Sequence, residues 1–387
     1  MRKLLFDLVA TQPNTSGKRH GGGKYGEIIF FRMIERGIKF DCLYNSSIWL
    51  NPDVENAAKR HGCNMHDVAS SSIETIVKEG GYDAIYSCVP SKEVLRVNCC
   101  SVICTLHGMR AFETPIDRIF WSYPSDIKSK IKWIVQKFAK NVWRKKLDKD
   151  YKLYFESDCN LITVSEHSNA AIMSYFPNVN KKIKVFFSPN TSSAIPAKKD
   201  ESYGKYFLMV SGNRWEKNNL RAILAFDRLV SAGLMKDVKA VVTGCKKGIY
   251  ENKVQNPSSF EFLGYVDDEK LESLYANAYC FVYPSLNEGF GYPPLEAMRY
   301  GVPVIASPFS SISELLEGGA MYFNPFQVEE IMSRMLLISN SERHEQYSKA
   351  GFEKYQMIKQ RQDRDLDTMI DYITELSQVK IHKRDLT

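Results

Sequence analysis

The sequence predicts an α/β protein of two domains, each built around a parallel β-sheet, and three observations support this prediction. The chain has 387 residues, more than one domain usually holds. Short apolar runs bounded by turn residues alternate with longer amphipathic stretches, as in βα units. The alternation stops at a polar stretch around Pro196 and then begins again, so each half is expected to form its own sheet.

The predicted strands follow one another along both halves of the chain. In the first half they are residues 4–9, 40–44, 84–88, 102–106, 161–164 and 183–187. In the second half they are residues 206–211, 238–243, 260–263, 280–283, 303–306 and 321–323. Amphipathic patterns between them, such as 28–36, predict helices, and residues 329–378 are expected to be almost wholly helical.

Composition excludes several classes of protein. With 44% hydrophobic and 25% charged residues, the chain is neither disordered nor a small disulfide scaffold. The nine cysteines include no C-x-x-C pair, so reduced thiols in a cytoplasmic protein are expected, and no metal site. No apolar stretch reaches the ~18–20 residues that span a bilayer. No aromatic and basic signature of nucleic-acid binding is recognised apart from one basic segment.

That basic segment covers residues 126–152 and contains ten Lys and Arg residues against three acidic ones. Apolar residues recur in it at helical spacing, which predicts an amphipathic helix. The stripe consists of Ile127, Ile131, Ile134, Phe138 and Val142. Two interpretations remain open: the helix packs on its own domain, or it makes peripheral contact with an anionic membrane at the inner face.

The densest chemical pattern lies at residues 283–307. A predicted strand is followed by a loop rich in glycine and by a helix that begins with two prolines. Glu288 lies in the loop, and Glu296 lies about one turn into the helix. In a parallel sheet this loop is at the carboxyl edge, where ligands bind, although either glutamate could also be a surface or helix-capping residue.

These residues resemble the E-x7-E signature of retaining glycosyltransferases of the GT-B fold, family 4, also called group 1. Residues 262–275 are similar to the segment that precedes the signature in that family. The resemblance implies two Rossmann-like domains that face each other across a cleft. It places an acceptor-side domain at 1–195, a nucleotide-sugar-binding domain at 196–357, and a helix at 358–387 that crosses back to the first domain.

The resemblance also assigns roles to residues in the second half. Glu288 would hold the donor sugar, and Glu296 would hold the ribose. Arg214 and Lys217, at a strand-to-helix turn, would stabilise the departing diphosphate; as an isolated pair they could be ordinary surface cations. Donor contacts are also implied for the loop residues Gly289, Phe290 and Gly291.

Two positions in the first half complete the predicted site. His107 ends a predicted strand and resembles the family's histidine that orients the donor sugar, whereas a lone histidine is more often structural. Gly22 and Gly23 are expected in a loop before the first helix, where missing side chains would let the backbone approach the donor. A merely flexible turn is the other interpretation of these glycines.

The function implied is the retaining transfer of a hexose, mannose- or glucose-type, from a nucleotide diphosphate sugar to a hydroxyl acceptor. The acceptor would be a glycan or a lipid-linked saccharide in polysaccharide biosynthesis, and the reaction would need neither a metal ion nor a cofactor. Two alternatives remain: a catalytically silent nucleotide-sugar-binding protein, and a GT-B phosphorylase or epimerase.

Overall fold

The computed structural model describes residues 3–13, 21–157, 159–179, 183–190, 198, 200, 204–245 and 248–378. The chain forms two compact units, each assembled from separate stretches of sequence. The first unit comprises Met1–Met109, Lys145–Thr191 and Arg361–Thr387, and the second comprises Arg110–Arg144 and Ser192–Gln360. The linker predicted around Pro196 and the glycine-rich stretch before Gly21 lie outside the described residues.

The first unit contains a seven-stranded sheet in which every pairing is parallel. Its strands are β1 (Leu4–Asp7), β2 (Asp41–Tyr44), β3 (Met65–Asp67), β4 (Ala84–Ser87), β5 (Ser101–Leu106), β6 (Cys159–Thr163) and β7 (Lys184–Val185). The spatial order is β3-β2-β1-β4-β5-β6-β7. Strand β3 was not predicted, because an edge strand whose three residues are all half-buried has no apolar run to reveal it.

The second unit contains a six-stranded sheet, again parallel throughout. Its strands are β8 (Tyr206–Met209), β9 (Lys239–Val242), β10 (Phe260–Phe262), β11 (Cys280–Tyr283), β12 (Val304–Ala306) and β13 (Ala320–Tyr322). They lie in the order β10-β9-β8-β11-β12-β13. The central strands β8 and β11 are wholly buried, which explains their continuous apolar sequences.

Helices connect the strands in both units. They are α1 (Gly21–Glu35), α2 (Pro52–His61), α3 (Ile73–Gly80), α4 (Lys92–Leu95), α5 (Arg110–Glu113), α6 (Ile127–Phe138), α7 (Lys140–Glu156), α8 (Glu166–Tyr175), α9 (Asn219–Ser231), α10 (Asp268–Asn277), α11 (Tyr292–Met298), α12 (Ser311–Leu316), α13 (Val328–Ile338) and α14 (Ser341–Gln378). Short 3-10 turns cover Val9–Thr11, Arg118–Ser122, Trp215–Lys217, Glu251–Lys253 and Pro257–Ser259. Among the described helices, none has the length and apolar character needed to cross a membrane.

Helix α1 begins earlier than the sequence predicted. Gly22 and Gly23 lie in its first turn, so their expected position in a loop is wrong. The helix packs closely on the sheet: a Cβ atom added at Gly26 would lie 2.5 Å from the Sγ atom of Cys88 and 2.8 Å from Cγ2 of Thr11. Glycine at this position therefore serves the approach of helix to sheet.

Residues 110–144 belong to the second unit, whereas the expected boundary placed them with the first. Asp117 forms two hydrogen bonds with Nη2 of Arg221, at 3.0 and 2.9 Å. The hydroxyl of Tyr123 accepts a hydrogen bond from the backbone amide of Leu220 at 3.0 Å. These buried or half-buried partners, far apart in the sequence, attach the segment to the second sheet domain.

The basic segment also differs from the single helix that was expected. It forms two helices, α6 and α7, separated at Ala139, whose backbone leaves the helical conformation (φ −121°, ψ 49°). The five apolar stripe residues are exposed, while Trp133 is buried. The helix therefore packs on its own unit through Trp133 and not through the apolar stripe.

The C-terminal helix α14 runs from the second unit into the first. Within the first unit, a side-chain oxygen of Asp365 accepts a hydrogen bond from the backbone amide of Phe187 at 2.9 Å. The Gln362 amide donates to the Ser188 carbonyl at 2.6 Å. All nine cysteines are free thiols, and seven of them are buried.

Candidate active site

The site in the second unit is built on the loop between β11 and α11. The loop ends at Gly291, whose φ of 115° is a conformation that residues with a Cβ atom rarely adopt. Ser311, the first residue of α12, donates its hydroxyl to the carbonyls of Glu288 (3.0 Å) and Phe290 (2.6 Å). Phe290 is buried, and Gly289 is half-buried. The loop is therefore held in one conformation by its own neighbours.

The Glu288 carboxylate is buried and surrounded by donors and cations. Its Oε1 atom lies 2.6 Å from Nζ of Lys217 and accepts a hydrogen bond from Ser285 at 2.5 Å. Nη2 of Arg110 lies 3.8 Å from Oε2. Burial by itself raises the pKa of Glu288, but the charges of Lys217 and Arg110, with these hydrogen bonds, lower it to about 2. The group is therefore ionised.

Lys217 is placed by the 3-10 turn that follows β8. Its ammonium lies 3.2 Å from the Tyr283 hydroxyl and 5.1 Å from the centre of that ring. The next residue, Asn218, has a left-handed backbone (φ 56°) and donates to the carbonyls of Pro284 and Pro325 at 3.2 and 2.7 Å. Burial lowers the pKa of Lys217, and the charge of Glu288 opposes that effect.

Two arginines add positive charge around this pair. Arg214 is exposed, and its charge further lowers the pKa of Lys217. Arg110 was not predicted as a site residue. It begins α5, three residues after His107, and no local pattern marks it. Only the folding of residues 110–144 onto the second unit brings its guanidinium to Glu288.

The position of Glu288 and Lys217 relative to the sheet indicates what kind of ligand they can bind. Lys217 follows β8, and Glu288 follows β11; these two strands are neighbours at the point where the strand order reverses. In open parallel sheets, ligands bind outside the carboxyl ends of the strands at such a switch point. A carboxylate and three cations at this place can bind a ligand that carries both hydroxyl groups and negative charge.

Glu296 lies one turn into α11, as predicted, and is half-buried. Its neighbour is Tyr275 on α10. Burial makes the largest contribution to the raised pKa of the Tyr275 hydroxyl, and the charge of Glu296 raises that pKa further. The contact of Glu296 with a ribose stays a prediction.

The predicted residues of the first unit lie around Cys88, just after β4. His107 follows β5, and its Nε2 atom lies 2.8 Å from the Cys88 carbonyl. Because a carbonyl only accepts, Nε2 carries the hydrogen in this contact. The ring packs edge-on against Tyr25 at 4.7 Å, and the carbonyl of Gly22 lies 3.7 Å from the Cys88 thiol. His107 and Gly22 thus share one location in this unit.

A metal ion has no obvious protein ligands in the described part of the chain. No group of three or more His, Cys, Asp and Glu side chains there could hold one. The positively charged groups of the site, which could bind an anion, are Arg110, Arg214 and Lys217.

The fold and the site define a class: a protein of two Rossmann-like α/β units with a buried carboxylate and a cluster of cations at the switch point of the second. Residues 192–366 match the family described as Glycosyl transferases group 1. The matched segment covers 175 of the 387 residues, so this part of the chain is similar to that family.

Known proteins resemble this chain in part of its sequence or in its fold. The chain is 33% identical over 174 residues to the O-antigen chain mannosyltransferase RfbU of Salmonella typhimurium. That alignment covers 43% of this chain and 47% of the relative, so it spans about half the length of the curated protein.

Two solved structures share the architecture over 98% of this chain and 100% of their own. They are sucrose-phosphate synthase from Thermosynechococcus elongatus (TM-score 0.70, 14% identity) and HepE from Anabaena in complex with UDP-glucose (TM-score 0.63, 16% identity). The fold is therefore GT-B.

Proposed function

We propose that this protein is a retaining glycosyltransferase that moves a hexose from a nucleotide diphosphate sugar to a hydroxyl acceptor of a glycan or lipid-linked saccharide. The observation that carries the proposal is the buried, ionised Glu288 beside Lys217 and Arg110 at the switch point. The name of RfbU and the sugar bound to HepE favour a mannose- or glucose-type hexose. Polysaccharide synthesis is the corresponding process.

The cations would act on the diphosphate of the donor. When the bond between the anomeric carbon and the diphosphate oxygen breaks, negative charge grows on the leaving group. Lys217, Arg214 and Arg110 can stabilise that charge because they already lie together. Glu288 partly neutralises Lys217, so an arriving diphosphate would compete for the same ammonium.

Glu288 would bind the sugar through its hydroxyl groups. An ionised carboxylate only accepts hydrogen bonds, and sugar hydroxyls can donate them. The acceptor oxygen would form its bond to the anomeric carbon on the face that the diphosphate leaves, and the acceptor proton would pass to an oxygen of the leaving phosphate. This route retains the configuration without a covalent nucleophile. The donor contacts of His107, Gly22, Gly23 and Glu296 remain predictions.

The first test is turnover of GDP- and UDP-linked hexoses, after a thermal-shift panel has selected the donor that stabilises the protein. We expect a product with the anomeric configuration of the donor, assigned by NMR.

Activity should survive EDTA, because the cations supply the charge that a metal ion would otherwise supply. Loss with EDTA and recovery with a divalent ion would overturn metal independence. An inverted product, or phosphate or water as the true acceptor, would overturn retaining transfer to a hydroxyl.

The Glu288→Gln variant tests the residue on which the proposal depends. Loss of the negative charge should lower kcat by about 100-fold or more, since the contact is strongest in the transition state. The matched control is Glu261→Gln, which changes an exposed glutamate on β10 and should keep full activity. If Glu288→Gln and Glu261→Gln had the same turnover, Glu288 would have no role in the mechanism. Donor binding without turnover in the native protein would favour a silent binder.

A further inference from the structure

Helix α6 and the residues that flank it present an unusual amount of exposed apolar surface. The described residues include fifteen exposed large hydrophobic side chains, and six of these lie between positions 121 and 142. They are Trp121, Ile127, Ile131, Ile134, Phe138 and Val142, with 44% to 78% of each residue exposed. Contiguous apolar patches on a folded protein usually mark a surface that meets a partner.

The opposite side of α6 is firmly attached to the second unit. Trp133 is buried, stacks on Phe120 with ring centres 6.1 Å apart, and donates its indole N–H to the Asp117 carbonyl at 3.0 Å. The helix begins with a side-chain cap, in which Asp126 accepts from the Ser129 amide at 2.6 Å. Because Trp133 holds the inner side, the apolar stripe is directed outward.

Lysines border the stripe on both sides. At 100° per residue, Lys128 and Lys132 lie on one side of it, and Lys130 and Lys137 lie on the other. All four are exposed. Residues 127–147 contain eight Lys and Arg residues and no Asp or Glu. Such long side chains can rest their methylene stems on an apolar surface while their charges reach a polar layer.

The combination of positive charge and exposed apolar surface favours one class of partner over the others. A second copy of the same face would bring its four bordering lysines against four, which disfavours self-association. Nucleic acid would pair with the lysines but leave the apolar stripe in water. The surface of an anionic bilayer satisfies both features, because acyl chains receive the stripe and headgroup phosphates receive the lysines.

We propose that the outward face of α6, with Trp121 beside it, docks on an anionic lipid bilayer, with the helix axis parallel to the membrane plane. Trp121 is 46% exposed and its ring lies 5.4 Å from that of Trp133, so it is an exposed indole beside the inner side of the helix. Indole rings favour the interfacial layer. This docking surface is separate from the chemistry at Glu288 and does not depend on the donor or reaction proposed above.

The experiment is co-sedimentation of the full chain with two kinds of vesicle, phosphatidylcholine alone and equal parts phosphatidylcholine and phosphatidylglycerol. Binding is expected only with phosphatidylglycerol and should weaken at high salt. Ile131→Ser combined with Phe138→Ser should lower the partition coefficient at least about tenfold. Lys128→Gln combined with Lys130→Gln should also lower it, by roughly fivefold for each charge.

The matched control combines Leu234→Ser with Met357→Ser, which removes two exposed apolar side chains elsewhere on the second unit and should leave binding unchanged. All these positions are exposed, so the unfolding temperature should stay constant.

Three results would overturn the proposal: no vesicle binding at low salt, equal binding by the α6 variants and the control, or a dimer that the Phe138 variant dissociates. Nucleoside diphosphate affinity, measured on the same variants, should not change; its loss in the native protein would count against the proposed function instead.

Discussion

At the residue scale, the central feature is the mutual dependence of Glu288 and Lys217. Each side chain is more than nine-tenths buried, and each would be costly to bury alone. Their 2.6 Å contact, with Ser285 and Arg110, offsets that cost. Removing either partner leaves an uncompensated buried charge, so Lys217 and Glu288 variants should be compared with folding controls.

The pKa of Glu288 predicts a specific sensitivity to acid. The pKa of Glu288 is about 2 in the folded protein, below its ordinary value of 4.5. Between these two pH values the carboxyl is therefore more protonated in the unfolded chain than in the folded protein. The stability it contributes is present above about pH 5 and is lost as the pH falls from there towards 2. Urea unfolding across this range should show a steeper loss for the native protein than for Glu288→Gln. Identical slopes would contradict the low pKa.

Arg110 is expected to contribute to binding of the diphosphate. Replacing it with Ala should weaken nucleoside diphosphate binding about tenfold, because a charge-assisted contact is lost. Isothermal titration calorimetry gives the affinity directly. Arg118→Ala changes an exposed arginine eight residues further along and is the control. Arg110 would have no specific role in diphosphate binding if Arg110→Ala bound the nucleoside diphosphate as tightly as the native protein, or if both variants lost affinity equally.

At the element scale, the close contact of α1 with the first sheet explains why glycine is needed at Gly26. A methyl group there would lie 2.5 Å from Cys88 and 2.8 Å from Thr11, which is too close for either neighbour. At Gly21, by contrast, an added Cβ would meet nothing within 4 Å. Two glycines of one helix thus differ completely in what surrounds them.

Substituting alanine at both positions tests this difference. Gly26→Ala should reduce the free energy of unfolding by about 1–3 kcal/mol through overpacking. Gly21→Ala should be neutral or stabilising by up to about 1 kcal/mol, since alanine favours a helix. Chemical denaturation of the two variants measures both values. Equal stability would show that the helix can move away from Cys88 without cost.

At the scale of the whole molecule, neither unit is a continuous piece of chain. Residues 110–144 leave the first half of the sequence to join the second unit, and residues 361–378 of α14 complete the first. The cohesion of the first unit therefore depends on contacts that span almost two hundred positions, such as Asp365 with Phe187. Arg32 and Asp367 form a further contact of this kind, at 2.9 Å.

Asp365→Ala should destabilise the first unit. The substitution leaves the buried Phe187 amide without its acceptor, at a cost of about 1–3 kcal/mol. The control, Asp363→Ala, changes an exposed aspartate on the same helix and should cost much less. Hydrogen exchange of the Phe187 amide reports the effect locally. Unchanged protection in Asp365→Ala would show that α14 does not support this unit.

The sequence by itself determined the two parallel sheets and the location of most strands, because strands buried on both faces need continuous apolar runs. The resemblance to the glycosyltransferase signature also singled out Glu288 and Lys217, and the structure brings these two side chains into contact. The prediction from sequence missed β3, whose half-buried residues carry no such run, and it began α1 too late.

Only the tertiary structure decided which unit receives residues 110–144, that Arg110 reaches Glu288, and that the apolar stripe of α6 points outward. Periodicity shows that a helix has an apolar face, but it does not show what covers that face. Likewise, the partner of a long charged side chain is chosen by contacts between segments far apart in sequence, such as Asp117 with Arg221. Those contacts exist only once both segments have folded, which is why no local pattern revealed them.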